Sequence, residues 1–263
     1  MIRQVTTMAS PTPQSLSAPE LEAPQQLTNL PRCMAFPAYQ ELLLQGKQPW
    51  WSHFKAEDRI IKGETYLILK RLLDITIVVI SFPLLLPLLA ICALLIKLES
   101  PGGPVMFLQQ RTGIDGKRFG MYKFRTMVPN AEKLKQQYMH LNELQWPDFK
   151  ITNDPRVTRV GRFLRKTSLD EIPQMLNVLW GDMSLVGPRP TSFDVKTYAL
   201  WHTVRLEVQP GLTGLWQVEG RTTMEFDERV WLDNEYINRR GLWFDIQILV
   251  RTLIAVFQQK GAH

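Results

Sequence analysis

The feature that most constrains this chain is an uncharged run from Ile75 to Ile96, in which Pro83 and Pro87 interrupt otherwise apolar sequence. At about 1.5 Å per residue, a helix of that length reaches across a hydrocarbon core roughly 30 Å thick, and it exceeds what a core helix of a soluble domain needs. A proline inside a helix removes a backbone donor and crowds the preceding turn. The carbonyls of Val79 and Pro83 therefore lose their usual partners, and a break or kink is expected there. Both flanks are basic, with Lys70 and Arg71 before the run and Lys97, Arg111, Lys117 and Arg118 after it. A simple span favours positive charge on one side, so this pattern favours a re-entrant helix with both ends on the cytoplasmic face.

A net charge of +6 and a pI near 9.4 point to anionic partners: nucleic acid, an acidic membrane surface or phosphorylated substrates. The apolar run makes nucleic acid the weakest of the three. Cys33 stands in a polar leader and Cys92 in the apolar run, which argues against a disulfide framework. Residues 1 to 32 are rich in Pro, Ser, Thr and Gln and lack an apolar signal core, so disorder is expected. Trp50, Trp51 and Phe54, set among Lys47, His53 and Lys55, suit either an interfacial segment or a small packed turn. The chain thus divides into an extension over 1–57, a membrane segment over 58–99 and a domain over 100–263.

VMFLQQR and KRFGMYKFRTM flank the turn Gly113-Ile114-Asp115-Gly116, a β-hairpin pattern from which Arg111, Lys123 and Arg125 project as phosphate contacts or as solvated edge charges. Residues 129–145 read as a polar amphipathic helix. In 156–166, Arg159, Arg162, Arg165 and Lys166 recur at helical spacing, a basic face suited to solvent, lipid headgroups or a phosphorylated ligand.

Asp170 and Glu171 follow at once, in TSLDEIPQMLNVLWGDMSLVGPRP. Ser168 and Glu171 have the spacing of a capping box, and acids in a first turn complement the helix dipole. Pro173 conflicts with a helix capped at Ser168, because its missing N–H would strand the carbonyl of Leu169. Starting the helix at Asp170 puts both acids at its mouth, where a phosphate could also dock. The residues alone leave structural capping and catalysis equally open. Gly181 is placed to end that helix, and VGPRP holds Arg189 between Pro188 and Pro190, a preorganised guanidinium suited to phosphate oxygens.

The turn-rich VQPGLTGLWQVEGR offers Trp216, Gln217 and Arg221 to a ligand, or is an ordinary loop. Residues 242–261 read as an apolar helix that packs on the core or lies in the membrane interface. No dinucleotide fingerprint, Walker A run, zinc-protease motif, nucleophile elbow or zinc-spaced cysteines occur.

In order along the chain, KRLLD, SPGGPVMFLQQRTG, YKFRTM, the block from Thr167 to Pro190 and PGLTGLWQVEGR resemble the bacterial sugar transferases, or monotopic phosphoglycosyl transferases, from about Lys70 to Lys260. The resemblance implies an α+β fold: a mostly helical cytoplasmic catalytic domain with a short β-hairpin, anchored by a re-entrant membrane helix broken near Pro87. Some members carry serine before that proline, where this chain has Leu86. Longer members carry an added multi-span membrane domain, so the chain resembles the minimal catalytic form with an extension of its own.

The implied reaction moves a sugar 1-phosphate from a UDP-sugar to undecaprenyl phosphate at the bacterial inner membrane, releasing UMP and initiating exopolysaccharide, O-antigen or capsule-type assembly. Asp170 falls on the family's nucleophile and Glu171 on its Mg2+ ligand. Arg189, with Pro188 beside it, is the expected phosphate clamp, backed by Lys123, Arg125 and Arg111; Gln217 and Arg221 are nucleotide contacts, and Asp233 is a further metal ligand. The competing expectation is a non-catalytic, membrane-anchored scaffold whose basic face binds anionic lipid. Sugar identity and oligomeric state stay open, a homodimer included.

Overall fold

A computed structural model of the chain describes residues 48–143, 151–220 and 224–257. The leader expected to be disordered, Cys33 and Arg221 lie outside the described residues. Helix α1, Gly63–Glu99, contains the whole apolar run and continues through both Pro83 and Pro87. The expected interruption is therefore not a break in the helix. Most of the helix surface is exposed and apolar, with Val79, Ile80, Leu84, Leu86 and Ile91 all open. Such a surface is unfavourable in water and favourable in lipid.

The two ends of α1 hold the same domain. Near its start, Tyr66 and Lys70 reach Asp245 at 2.9 and 3.2 Å, Arg71 donates to the carbonyls of Val178 and Leu179, and Asp74 accepts from Ser184 at 2.7 Å. Near its end, Cys92 and Ile96 pack with Phe124 and Leu164, and Glu99 accepts the backbone N–H groups of Arg159 and Val160 at 2.8 and 3.0 Å.

The hairpin forms as the sequence indicates. Strands β1 (Met106–Thr112) and β2 (Arg118–Phe124) pair antiparallel, from Met106 opposite Phe124 to Thr112 opposite Arg118. Asp115 and Gly116 both take positive φ, 54° and 73°, and Lys117 N donates to Ile114 O at 3.0 Å. That is a type I′ turn, whose twist matches paired strands. The helix expected over 129–145 is shorter: α2, Ala131–Lys135, passes into a 3-10 segment over Gln136–Leu141.

Helix α3 (Arg159–Lys166) begins at Thr158, whose Oγ1 accepts from Gly161 N at 2.9 Å. Its basic face is divided, since Arg165 turns inward to Thr126 Oγ1 at 2.9 Å while Arg162 and Lys166 stay exposed. A 3-10 segment, Leu169–Gln174, leads into α4, Met175–Trp180, and Gly181 ends it at φ 90°. Strands β3 (Ser184–Val186) and β4 (Gly211–Thr213) pair in parallel. Helices α5 (Leu215–Gly220), α6 (Phe226–Arg239) and α7 (Leu242–Phe257) complete the domain, and Leu215, Leu232, Tyr236, Phe244 and Ile248 on them are buried.

Of the two expectations for the tryptophan-rich segment, the packed turn is found. Trp50–His53 form a 3-10 turn with Trp51 buried against Trp231, while Phe54 stacks on Phe244 at 4.6 Å.

Gly161 marks where α3 meets the strand end. A Cβ there would stand 2.0 Å from the Thr126 carbonyl oxygen, a backbone atom that cannot swing aside. Alanine gains about 1 kcal/mol of helix propensity, and overpacking a tight site costs about 1–3 kcal/mol. Gly161→Ala is therefore expected to lower the melting temperature in detergent, and an unchanged or raised value would refute that close approach.

Candidate active site

Asp170 and Glu171 sit in the 3-10 segment between α3 and α4, and the capping box is not made. Ser168 takes a left-handed φ of 57° and its hydroxyl caps nothing. Pro173 lies inside the 3-10 turn, and the α-helix starts only after it, at Met175. This is the conflict Pro173 raised, resolved by delaying the helix rather than by starting it at Asp170.

Glu171 turns toward two cations instead. Lys123 of β2 donates to its Oε1 at 2.8 Å, and Arg189 grips the carboxylate with both terminal nitrogens, Nη1 reaching Oε2 at 3.1 Å and Nη2 reaching Oε1. Such a two-pronged contact fixes orientation as well as charge. Burial works to raise the Glu171 carboxyl, but Arg189 and Lys123 outweigh it and hold it well below the usual carboxylate range.

Asp170, one residue away, makes no side-chain hydrogen bond or ion pair among the described residues. Burial and the Glu171 charge push its carboxyl up to about 6, against the pull of Lys123, Arg165 and Arg189. Two neighbouring acids thus differ sharply in environment, one neutralised and fixed, the other unpaired.

Arg189 is itself held from behind. Its carbonyl accepts from Arg205 Nη2 at 2.7 Å, and Arg205 pairs with Asp233 at 2.6 Å in a buried contact. Pro188 is buried and its carbonyl accepts from Gly211 N, tying the Arg189 segment to β4. Arg111 donates to Pro190 O at 3.4 Å and to Gln109 at 2.7 Å, close enough to Arg189 that burial and this like charge lower its pKa to about 10.

Three other expected site residues have different surroundings. Arg125 is drawn away, its Nη2 donating to Ser100 O at 2.5 Å in the exit from α1. Asp233 is committed to Arg205 and supports Arg189 at one remove. Gln217 is buried on α5 next to Trp216. Arg205 was not foreseen, because VRLEVQ carries no motif and only the fold brings it to Arg189 and Asp233.

For a metal, the donors are Asp170 and Glu171, and among the described residues no group of three or more His, Cys, Asp or Glu side chains converges. Two carboxylates do not cage an ion. They do fit Mg2+, which is commonly bound by one or two carboxylates with substrate phosphates filling other positions.

The bacterial sugar transferase family model matches residues 65–259. Undecaprenyl-phosphate galactose phosphotransferase of Salmonella typhimurium is 44% identical over 204 residues, 74% of this chain and 42% of that protein. UDP-glucose:undecaprenyl-phosphate glucose-1-phosphate transferase of Escherichia coli is 41% identical over 206 residues, again 74% and 42%. The exopolysaccharide production protein ExoY of Sinorhizobium fredii is 38% identical over 199 residues, 74% of this chain and 88% of that protein. The chain thus spans less than half the length of the first two relatives. With the matched region containing the paired acids, Lys123 and the arginine held between prolines, the chain belongs to the bacterial sugar transferase family.

Proposed function

We propose that the chain transfers a sugar 1-phosphate from a UDP-sugar to a polyprenyl phosphate at the cytoplasmic face of the bacterial inner membrane, as the first step of a polysaccharide such as an exopolysaccharide. The contrast between Asp170 and Glu171 carries this reading. A carboxylate clamped by Lys123 and Arg189 is a poor nucleophile and a good positioning group, whereas an unpaired neighbour is available to react. The scaffold alternative is weakened because the acids do not form the expected cap.

Asp170 attacks the phosphorus bearing the sugar, and the bond from that phosphorus to the UMP oxygen breaks. An aspartyl phosphosugar and UMP result. A phosphate oxygen of the polyprenyl phosphate then attacks the same phosphorus and expels the Asp170 carboxylate, giving the polyprenyl diphosphate sugar. Lys123, Arg189 and Arg111 offset negative charge on the reacting diphosphate. Mg2+ held by Glu171 and Asp170 with the donor phosphates would supply further charge neutralisation.

Helix α1 is inferred to be re-entrant, placing the site at the depth of the lipid phosphate. Its two ends grip one domain, which supports both ends lying on one side of the bilayer. Single cysteines introduced before residue 70 and after residue 100 are expected to label from the cytoplasmic side, and labelling from opposite sides would require a full span.

Incubated with Mg2+ and a UDP-sugar but no lipid acceptor, the wild type is expected to release a stoichiometric burst of UMP and gain the mass of a phosphosugar at Asp170. Full turnover by Asp170→Asn would refute the nucleophile assignment. Arg189→Lys keeps the charge but loses the fork, and at least a tenfold fall in kcat/KM for the donor is expected.

Keeping Asp170 ionised also costs stability. Its folded pKa of about 6 lies above the ordinary value of 3.8, so the cost is complete above pH 6 and absent below pH 3.8. In chelator-treated protein, Asp170→Asn is expected to be more stable than the wild type at pH 8, by roughly 1–2 kcal/mol. That advantage should fade as the pH falls toward 4; a variant less stable at pH 8 contradicts the assignment.

A further inference from the structure

The basic face of α3 has no part in the proposed transfer. Arg159, Arg162, Phe163 and Lys166 recur at spacings of three and four, so they share one stripe of the helix, and all four are exposed, Phe163 by 54%. We propose that this stripe is a docking surface for anionic phospholipid headgroups, seating the domain on an acidic leaflet beside the exit of α1. The inference rests on α1 lying in lipid and not on the transfer chemistry.

Charge is the first observation. Among the described residues, Arg159, Arg162 and Lys166 form no ion pair with a carboxylate. Glu99 offsets part of the Arg159 charge, but its two oxygens are taken up by the backbone N–H groups of Arg159 and Val160. Arg162 and Lys166 are left uncompensated. Arg165, the remaining cation of the helix, turns inward to Thr126 and leaves the stripe. A single-sign surface of this kind suits a plane of phosphates.

Position is the second. The opposite side of α3 is seated on the last turns of α1, where Leu164 is buried with Cys92 and Ile96, and Val160 packs against them. Leu94 and Leu98 stay exposed up to that end, and Lys97 is the first charged residue after the apolar run. The hydrocarbon boundary thus falls in the turn of α1 that carries α3. Headgroup charge acts over a Debye length, roughly 8 Å at physiological salt, and the stripe is about 10 Å long.

Phe163 distinguishes a lipid surface from a merely solvated one. Its ring stands open between Arg162 and Lys166, and an apolar ring flanked by cations is the composition of an interfacial helix. Helix α3 also runs through Thr167 and Ser168 straight into the segment bearing Asp170 and Glu171. Headgroup contact there therefore helps to fix the height of both acids above the lipid.

The test uses the full chain in phosphatidylcholine nanodiscs carrying a small share of dansyl-labelled phosphatidylglycerol or dansyl-labelled phosphatidylcholine. Energy transfer from the protein's tryptophans to dansyl reports which lipid gathers around it. At low salt the wild type is expected to favour the acidic probe about fivefold, and strong salt should remove most of that preference. Combining Arg159→Gln, Arg162→Gln and Lys166→Gln should reduce the preference to about twofold or less. Removing three exposed cations elsewhere, with Lys117→Gln, Lys133→Gln and Lys196→Gln, should leave it unchanged. If melting temperatures show that the stripe variant fails to fold, the single variants Arg162→Gln and Lys166→Gln decide, each expected to lower the preference measurably.

A folded stripe variant that keeps the full preference would overturn the proposal. So would a variant with its lipid preference intact and a raised KM for polyprenyl phosphate, because the surface would then belong to the acceptor. Wild-type protein that shows the preference, and loses it with the stripe, yet releases no UMP from any UDP-sugar, would support the surface and refute the transferase reading.

Discussion

The structure around the paired acids depends on one contact, the Glu171 carboxylate shared by Lys123 and Arg189. Through it the hairpin, the 3-10 segment and the proline-flanked loop meet at a single group. Taking three charges out of water is costly, and replacing such clusters with apolar side chains is often neutral or stabilising. Its value is better sought in orientation. With Glu171 fixed, Asp170 is left unpaired at the same site, and two chemically similar residues acquire different properties. Behind Arg189, the Arg205 and Asp233 pair fixes the backbone that carries the guanidinium, so α6 helps set the geometry without touching the acids.

The long helix is the second organising element. A membrane segment attached only at one end would let the domain swing relative to the lipid surface. Here Lys70, Arg71 and Asp74 bind the domain near the start of α1, and Cys92, Ile96 and Glu99 bind it near the end. The apolar middle is left exposed. The site therefore has a defined position relative to the helix.

Much of this was legible in the sequence because the signals were local. The apolar run, the Asp115-Gly116 turn, the arginine between prolines and Gly181 as a helix end each depend on a few neighbouring residues. The doubt raised by Pro173 was also local, and it correctly ruled out a helix capped at Ser168. What the sequence did not disclose depends on distant partners. Arg125 sits in the same strand pattern as Lys123, yet the exit from α1 claims it through Ser100. Asp233 has the chemistry of a metal ligand, but burial against Arg205 gives it a supporting task. The continuous path of α1 through two prolines also escaped local rules, which count lost donors but not the contacts that hold both ends of the helix.

The turn at Trp50–His53 lies outside the region matched by the family model, yet it is built into the domain. Arg239 donates to the carbonyls of Ser52 and Phe54, Trp51 covers Trp231, and Arg251 lies 3.9 Å from the Trp50 ring. The boundary of kinship and the boundary of the folding unit therefore do not coincide. Grafting the matched region onto another protein would uncover an aromatic face on α6 and α7, and the host would have to supply a substitute for the missing turn.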